Sequence, residues 1–257
     1  MTARKPSVLV LTGDGINCER ETAFAFELAK ASADIVHIND LLAEPAMLAG
    51  FEALALPGGF SFGDDLGSGQ VLALKIRGRL ESELREFIER RRPVIGICNG
   101  FQALAKLGLL PMPFRERTMA LAPNSQGHFV NRWVELEVDD RSPCIWTQGL
   151  GEGEPIEFPI RHGEGRVVFQ HEHQEAIHNE LSRAGQIPLR YKDDVNGSYG
   201  RIAGVCDPTG LVFGLMPHPE AAISQLQHPR STMLEKRTVR GVGMRVFENC
   251  VKYLKES

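Results

Sequence analysis

Pro93-Val94-Ile95-Gly96-Ile97-Cys98-Asn99-Gly100-Phe101-Gln102-Ala103-Leu104-Ala105-Lys106-Leu107-Gly108 is the stretch whose reading decides the fold. Its first half is a short apolar run rich in β-branched residues, as in a buried strand. Its second half places Phe101, Leu104, Ala105 and Leu107 at helical spacing and ends at Gly108, a helix-stop signal. Between them lies one cysteine set in glycine. The order is strand, tight turn, helix, and a residue on such a turn is pushed out at the C-terminal edge of a sheet. Gly96 and Gly100 let the chain bend without Cβ clashes. The helix that follows turns its first N–H groups toward the sulfur and favours negative charge there. Two readings of Cys98 follow: a nucleophile, which this setting serves, and a buried core cysteine, which needs none of it.

Two further segments bear on the choice. Leu211-Val212-Phe213-Gly214-Leu215-Met216 is a second apolar run, and it leads into Pro217-His218-Pro219-Glu220. In extended chain His218 and Glu220 project to the same side, and the prolines disfavour helix. A carboxylate there accepts from one ring nitrogen and leaves the other free to take a thiol proton. By itself the segment reads equally as a proline-rich surface loop. The third segment is Phe51 to Leu56, another buried strand, which ends in Pro57-Gly58-Gly59-Phe60-Ser61-Phe62-Gly63-Asp64-Asp65. Acyl chemistry at a cysteine needs N–H donors aimed at the developing oxyanion, and Gly59 and Asn99 are placed to supply them. Gly58-Gly59 taken alone is also an ordinary turn.

Strand and helix signals alternate through the first part of the chain: strands at Ser7 to Thr12, Asp34 to Ile38, Ala53 to Leu56 and Val94 to Ile97, and helices at Glu19 to Ala31 and Val71 to Arg91. The last of these carries Leu72, Ile76, Leu80, Leu84 and Ile88 at a spacing of four. Such alternation predicts an α/β fold with a mostly parallel sheet covered by helices on both faces, whose sites lie at the C-terminal strand ends, where Gly59 and Cys98 fall. From about residue 118 to about 200 the character changes to strands and loops, such as Phe129 to Val138 and Gly165 to Phe169, with one helical candidate at Glu172 to Ala184. This predicts antiparallel strands inserted into the same domain, residues 1–257 forming one unit. Ile202 to Cys206 and Leu211 to Met216 flank an Asp207-Pro208-Thr209-Gly210 turn and read as a strand pair, and the chain closes with a helix from about Thr238 to Leu254.

Composition bounds the function. With 257 residues, 42% hydrophobic and 24% charged, the chain is an ordinary globular one, and a net charge of −4 argues against a nucleic-acid-binding face. No run of about 18 apolar residues marks a membrane span. Ser7 to Thr12 is too short for the apolar core of an export signal and runs into Gly13-Asp14, so it reads as a first strand. Five scattered cysteines without a Cys-x-x-Cys pair fit the reducing cytoplasm rather than a disulfide framework. Gly13-Asp14-Gly15 imitates a dinucleotide fingerprint, but Cys18 stands where its third small residue belongs. His171-Glu172-His173 and Asp64-Asp65 read as solvated polar segments and not as metal sites, Cys18 as a packing residue, and no metal is expected.

Pro57-Gly58-Gly59, Gly96-Ile97-Cys98-Asn99-Gly100-Phe101-Gln102 and His218-Pro219-Glu220, in this order, resemble the motifs of class I (triad-type) glutamine amidotransferases. Asn17-Cys18-Glu19, Gly59-Phe60-Ser61-Phe62-Gly63-Asp64, Asn131-Arg132-Trp133-Val134 and His162-Gly163-Glu164-Gly165-Arg166 narrow the resemblance to the family of glutaminase subunits of phosphoribosylformylglycinamidine synthases. It covers almost the whole chain. It departs from the family pattern at Asp65-Leu66-Gly67, which lacks an arginine, and at Gln126, where serine is usual. The resemblance implies a three-layer amidotransferase fold, a Cys98-His218-Glu220 triad, an oxyanion hole at Gly59 and Asn99, and substrate contacts at Gln102, Gly58 and Asn124. From spacing alone Gln102 is a helix-surface residue one turn after Cys98. The implied reaction is hydrolysis of L-glutamine, with ammonia passed to a separate synthetase subunit that binds ATP and magnesium, bridged by a small third subunit. This chain shows no phosphate-binding loop of its own, and so no cofactor is expected in it. The rivals are an amidotransferase subunit serving another acceptor and a catalytically silent docking subunit.

Overall fold

Gly96 and Gly100 are where the strand and the helix of the decisive stretch come together. A Cβ on Gly100 would stand 1.9 Å from the carbonyl oxygen of Leu56, and one on Gly96 would stand 2.7 Å from the Gly100 backbone. The helix after the cysteine thus lies directly on the neighbouring strand, closer than any side chain permits. The computed structural model describes residues 4–153, 155–233 and 240–257. In chain order its elements are β1 (Ser7–Thr12), α1 (Glu19–Leu28), β2 (Ser32–His37), α2 (Ile38–Ala43), β3 (Ala53–Leu56), α3 (Gln70–Arg79), α4 (Glu81–Glu89), β4 (Val94–Ile97) and α5 (Asn99–Leu107). There follow β5 (Met119–Pro123), β6 (Val130–Val138), β7 (Ile156–His162), β8 (Glu164–Phe169), α6 (Gln174–Arg183), β9 (Leu189–Tyr191), β10 (Ile202–Cys206), β11 (Val212–Leu215) and α7 (Met244–Glu256).

One sheet runs in the order β2-β1-β3-β4-β11-β10-β9-β6-β7. Its first five strands are parallel, and the other four join antiparallel. Every residue of β3, β4, β10 and β11 is buried. Since alternate side chains of a strand face opposite ways, both faces of the central sheet are covered, which explains why these strands read as unbroken apolar runs. Helix α1 packs on α7, with Phe26 and Phe247 edge to face at 5.0 Å, and α3 packs on α5. The expected α/β architecture with a mostly parallel sheet is thus observed. The stretch after residue 118 splits: β5 and β8 pair as a separate two-stranded sheet, while β6, β7 and β9 extend the main one.

Several expected boundaries shift: the strand expected over Asp34 to Ile38 is Ser32–His37, with Ile38 opening α2, and α1 ends at Leu28 before the expected Ala31. The single helix over Val71 to Arg91 is two, α3 and α4, broken at the buried Leu80, whose φ of −125° is non-helical. A spacing of four advances about 40° per step around a helix of 3.6 residues per turn, so Leu72 to Ile88 cannot face one core on a straight axis. The break turns Leu84 and Phe87 back inward. Helix α6 begins at Gln174, after a 3₁₀ turn over His171–His173. The last helix begins at Met244; Thr238 lies outside the described residues.

The strand order places the site. Strands β1, β3, β4 and β11 are neighbours and point the same way, so the loops at Gly13 to Cys18, Gly58-Gly59, Cys98 and His218 emerge side by side at one edge. At about 4.8 Å per strand they span about 14 Å. We expect Gly100→Ala to drive α5 off β3 and to lower stability by about 3 kcal/mol, read as a fall in the urea midpoint at unchanged slope.

Candidate active site

Cys98 has φ 50° and ψ −104°, a strained conformation for a side-chain-bearing residue and one that lifts it out of the line of the strand. The turn is held on both sides, because its N–H donates to Leu215 O (2.8 Å) and its carbonyl accepts from Gln102 N–H (3.1 Å). The thiol donates toward the Arg161 carbonyl at the end of β7, 3.7 Å away. Asn99 is the first residue of α5, so its N–H has no partner within the helix, and it directly follows Cys98 in the chain.

His218 and Glu220 sit just past β11. His218 N–H donates to Pro159 O (2.9 Å), which ties the loop to β7. Its Nδ1 lies 2.5 Å from Glu220 Oε1, and the two side chains are 3% and 2% exposed. A carboxylate this buried is stabilised by the imidazole it faces, and the bond to Nδ1 leaves Nε2 as the free ring nitrogen. Burial opposes charge on the ring, but Glu220, then Cys98 and Cys18, more than offset it and hold its pKa well above the usual histidine range. Gly58 makes room for the ring: a Cβ there would stand 2.7 Å from His218 Cε1.

Gly59, at φ 147°, is in a region reserved for glycine. It forms an isolated antiparallel bridge with Ile16. The bridge is closed by Asn17 N–H to Gly58 O (3.3 Å) and Phe60 N–H to Gly15 O (2.8 Å), which leaves the Gly59 N–H outside the pairing. The loop behind it is tied to the helix start, because Ser61 N–H donates to Asn99 Oδ1 and Asn99 Nδ2 donates to Asp64 Oδ1, both at 3.0 Å. Asp64 is therefore no solvated acid, as its sequence context suggested. Burial raises its carboxyl pKa, against hydrogen bonds from Ser68, Asn99 and the Gly69 N–H.

The fold brings Cys98, His218, Glu220, Gly58, Gly59 and Asn99 together. Gln102 and Asn124, expected as substrate contacts, have partners within the protein. Gln102 is buried, accepts from Asn99 Nδ2 (3.0 Å) and donates to the Glu164 carbonyl. Asn124 donates to His162 O (2.8 Å) and His128 O (3.1 Å), and its Oδ1 meets His162 Nδ1 (3.0 Å). Both amides are engaged within the protein, as braces between the elbow, the β5 end and the β7–β8 turn.

Two residues at the site were missed. Cys18 was expected to be mere packing, yet its sulfur lies against the triad histidine. Burial raises its thiol pKa, and His218 opposes the rise. Its place at the end of the β1 loop was the available signal, since β1 neighbours β3 in such sheets. His162 is buried beside the same ring; burial first, and then the charge of His218, push its pKa down to about 4. The motif His162-Gly163-Glu164-Gly165-Arg166 carried part of the resemblance, but its place beside His218 is tertiary, because its neighbours follow β5 and β11.

Nothing about a core cysteine would demand the strain at Cys98 or a buried carboxylate on His218. Together they are the arrangement of triad-type glutamine amidotransferases, the class to which this fold and site conform. The sequence profile of the CobB/CobQ-like glutamine amidotransferase domain matches residues 5–254. Phosphoribosylformylglycinamidine synthase subunit PurQ of Methanococcus maripaludis is 41% identical, over 96% of this chain and 97% of the relative. The subunit of the same name from Dehalococcoides mccartyi is 40% identical, over 98% and 99%. A chain in the structure of PurLQS from Thermotoga maritima superposes with a TM-score of 0.74 at 36% identity, over 97% of this chain and 99% of that one. A glutamine amidotransferase from the same organism, at 16% identity and a TM-score of 0.56 over 99% and 100%, shares the fold. The chain belongs to the glutamine amidotransferase family, among the PurQ subunits of phosphoribosylformylglycinamidine synthase.

The histidines make a pH prediction. Unfolded, His162 takes a proton near pH 6.5; folded, it stays neutral to about pH 4. Its contribution is therefore full above pH 6.5 and is lost as pH falls, by about 3 kcal/mol in all. His218 runs the other way: its extra stability is complete below the unfolded value and is lost as pH rises through its raised folded one. Urea unfolding between about pH 4.5 and about pH 6.5, where only the unfolded His162 is charged, should show stability falling with acid in wild type and a flatter profile in His162→Asn.

Proposed function

We propose that this chain is the glutaminase subunit of a phosphoribosylformylglycinamidine synthase. It hydrolyses L-glutamine and hands the ammonia to a synthetase subunit, which makes formylglycinamidine ribonucleotide from formylglycinamide ribonucleotide with ATP. The observation that carries the reading is the buried His218–Glu220 pair beside a cysteine held at a strained elbow.

In this mechanism Cys98 gives its proton to His218 Nε2, forming the thiolate–imidazolium pair that the raised His218 pKa favours, and Sγ then attacks the side-chain carboxamide carbon of glutamine. The Gly59 and Asn99 N–H groups hold the oxyanion of the tetrahedral intermediate. As the intermediate collapses, the proton passes from Nε2 to the departing nitrogen, ammonia leaves, and a thioester remains on Cys98. His218 then takes a proton from water, which attacks the thioester; glutamate leaves and the thiol is restored. Glu220 keeps Nδ1 protonated and the ring aimed, and stabilises the imidazolium formed in each half. Gln102 and Asn124 hold Asn99 and His162 in place. ATP and magnesium belong to the synthetase subunit on this reading, and a small third subunit bridges the two. Ammonia released without an acceptor is wasted, so the glutaminase is slow until the synthetase docks. A role in purine synthesis and five unpaired cysteines support a cytoplasmic location. No helix among the described residues is long and apolar enough to cross a membrane.

Glutamate release by the purified chain, with and without the synthetase and bridging subunits, tests this. Release should rise with the partners, fall at least about 10⁴-fold in Cys98→Ala and fall roughly 10²–10⁴-fold in Glu220→Gln. Equal, negligible release by wild type and Cys98→Ala under every condition would leave a silent docking subunit. Failure to complement a purine auxotroph, with the glutaminase intact, would point to another acceptor.

A further inference from the structure

We propose that Cys18, His218 and Glu220 form a binding site for a soft divalent cation such as zinc, and that filling it switches the glutaminase off. The second half rests on the catalytic reading of His218; the first does not. A thiol, an imidazole and a carboxylate, one ligand atom each, lie within 4.8 Å of one another, and all three residues are buried, at 7%, 2% and 1% exposure. They come from two loops, after β1 and after β11, that meet only because β1, β3, β4 and β11 are neighbours. Gly58 lets the two loops meet, since a Cβ there would stand 2.7 Å from His218 Cε1, 3.3 Å from Cys18 Sγ and 3.4 Å from His218 Nδ1. Among the described residues, neither the buried Glu220 Oε2 nor the buried His218 Nε2 has a partner of hydrogen-bond geometry.

The donor set selects the metal. Sulfur with imidazole and one carboxylate suits zinc or cadmium and not magnesium or calcium, which take oxygen. Zinc bonds of about 2.0–2.3 Å set tetrahedral ligand atoms about 3.6 Å apart, so the widest pair closes by about 1 Å and the 2.5 Å His218–Glu220 pair opens by about 1 Å. Binding sends two protons to solvent, from the Cys18 thiol and from between His218 and Glu220, and involves no redox change. A cation on this pair takes Glu220 from its orienting bond and drains electron density from the ring, so Nε2 no longer accepts the Cys98 proton. The geometry thus makes Cys18 the handle by which a metal reaches the catalytic base.

Cadmium titrated into the full-length Cys98→Ala protein, without reductant, reads binding through the ultraviolet thiolate-to-cadmium absorption band, independently of catalysis. One equivalent should raise the band, and Cys98→Ala/Cys18→Ser, which keeps a hydroxyl toward Asn17, should lack it. His218→Asn in the Cys98→Ala background should weaken cadmium binding and leaves Cys18 in place, which guards against a folding effect of the serine. No band in Cys98→Ala, or an equal band in the double variant, overturns the site. In the assembled enzyme zinc should inhibit wild type at concentrations at least about tenfold below those inhibiting Cys18→Ser. Equal sensitivity overturns the inhibitory role. If the assembled enzyme releases no glutamate at all, the catalytic reading fails while the cadmium band still decides the site.

Discussion

The contact between the α-carbon of Gly100 and the carbonyl of Leu56 is the constraint on which the site depends. It holds the first turn of α5 against β3, which forces the chain to turn within one residue after β4. That residue is Cys98, and its positive φ is the local cost of the close approach. The strain is held by backbone hydrogen bonds into β11 and α5, so the sulfur is presented by rigid elements. The same turn leaves the Asn99 N–H open and sets Asn99 where its side chain ties down the Gly59 loop.

A second layer of contacts aligns the pieces. His218 is hung from β7 by its N–H, seated against Gly58, and oriented by Glu220, both side chains being buried. Inside such a low-dielectric site one charged imidazole is well supported and a second is not, which is why His162 stays neutral beside it. The buried amides of Gln102 and Asn124 link this region to the strands after residue 118. Those strands are thus part of the architecture of the site: β7 supplies the Arg161 carbonyl facing the Cys98 thiol.

Much of this was legible along the chain. The strand-turn-helix stretch around Cys98, the paired apolar runs and the two-residue spacing of His218 and Glu220 are local patterns, and local patterns survive translation into structure. The triad motifs also carried the family resemblance. The helix break at Leu80 was hidden because apolar spacing reports which residues are buried, while the axis bends to suit the surface they meet. The internal partners of Gln102 and Asn124 were hidden for a related reason. Sequence places an amide near the sulfur, but only the folded chain shows that Asn99, Glu164 and His162 occupy its hydrogen-bonding groups.

The parallel strands, the cysteine elbow and the histidine–carboxylate pair can be read along the chain, because each rests on turn chemistry and periodicity within about ten residues. Only the tertiary structure decided that β1 stands beside β3 and so brings Cys18 to His218, and that His162 is buried next to it. Strand order joins residues about 200 apart in the chain, and no local propensity encodes which loops will share one edge of a sheet.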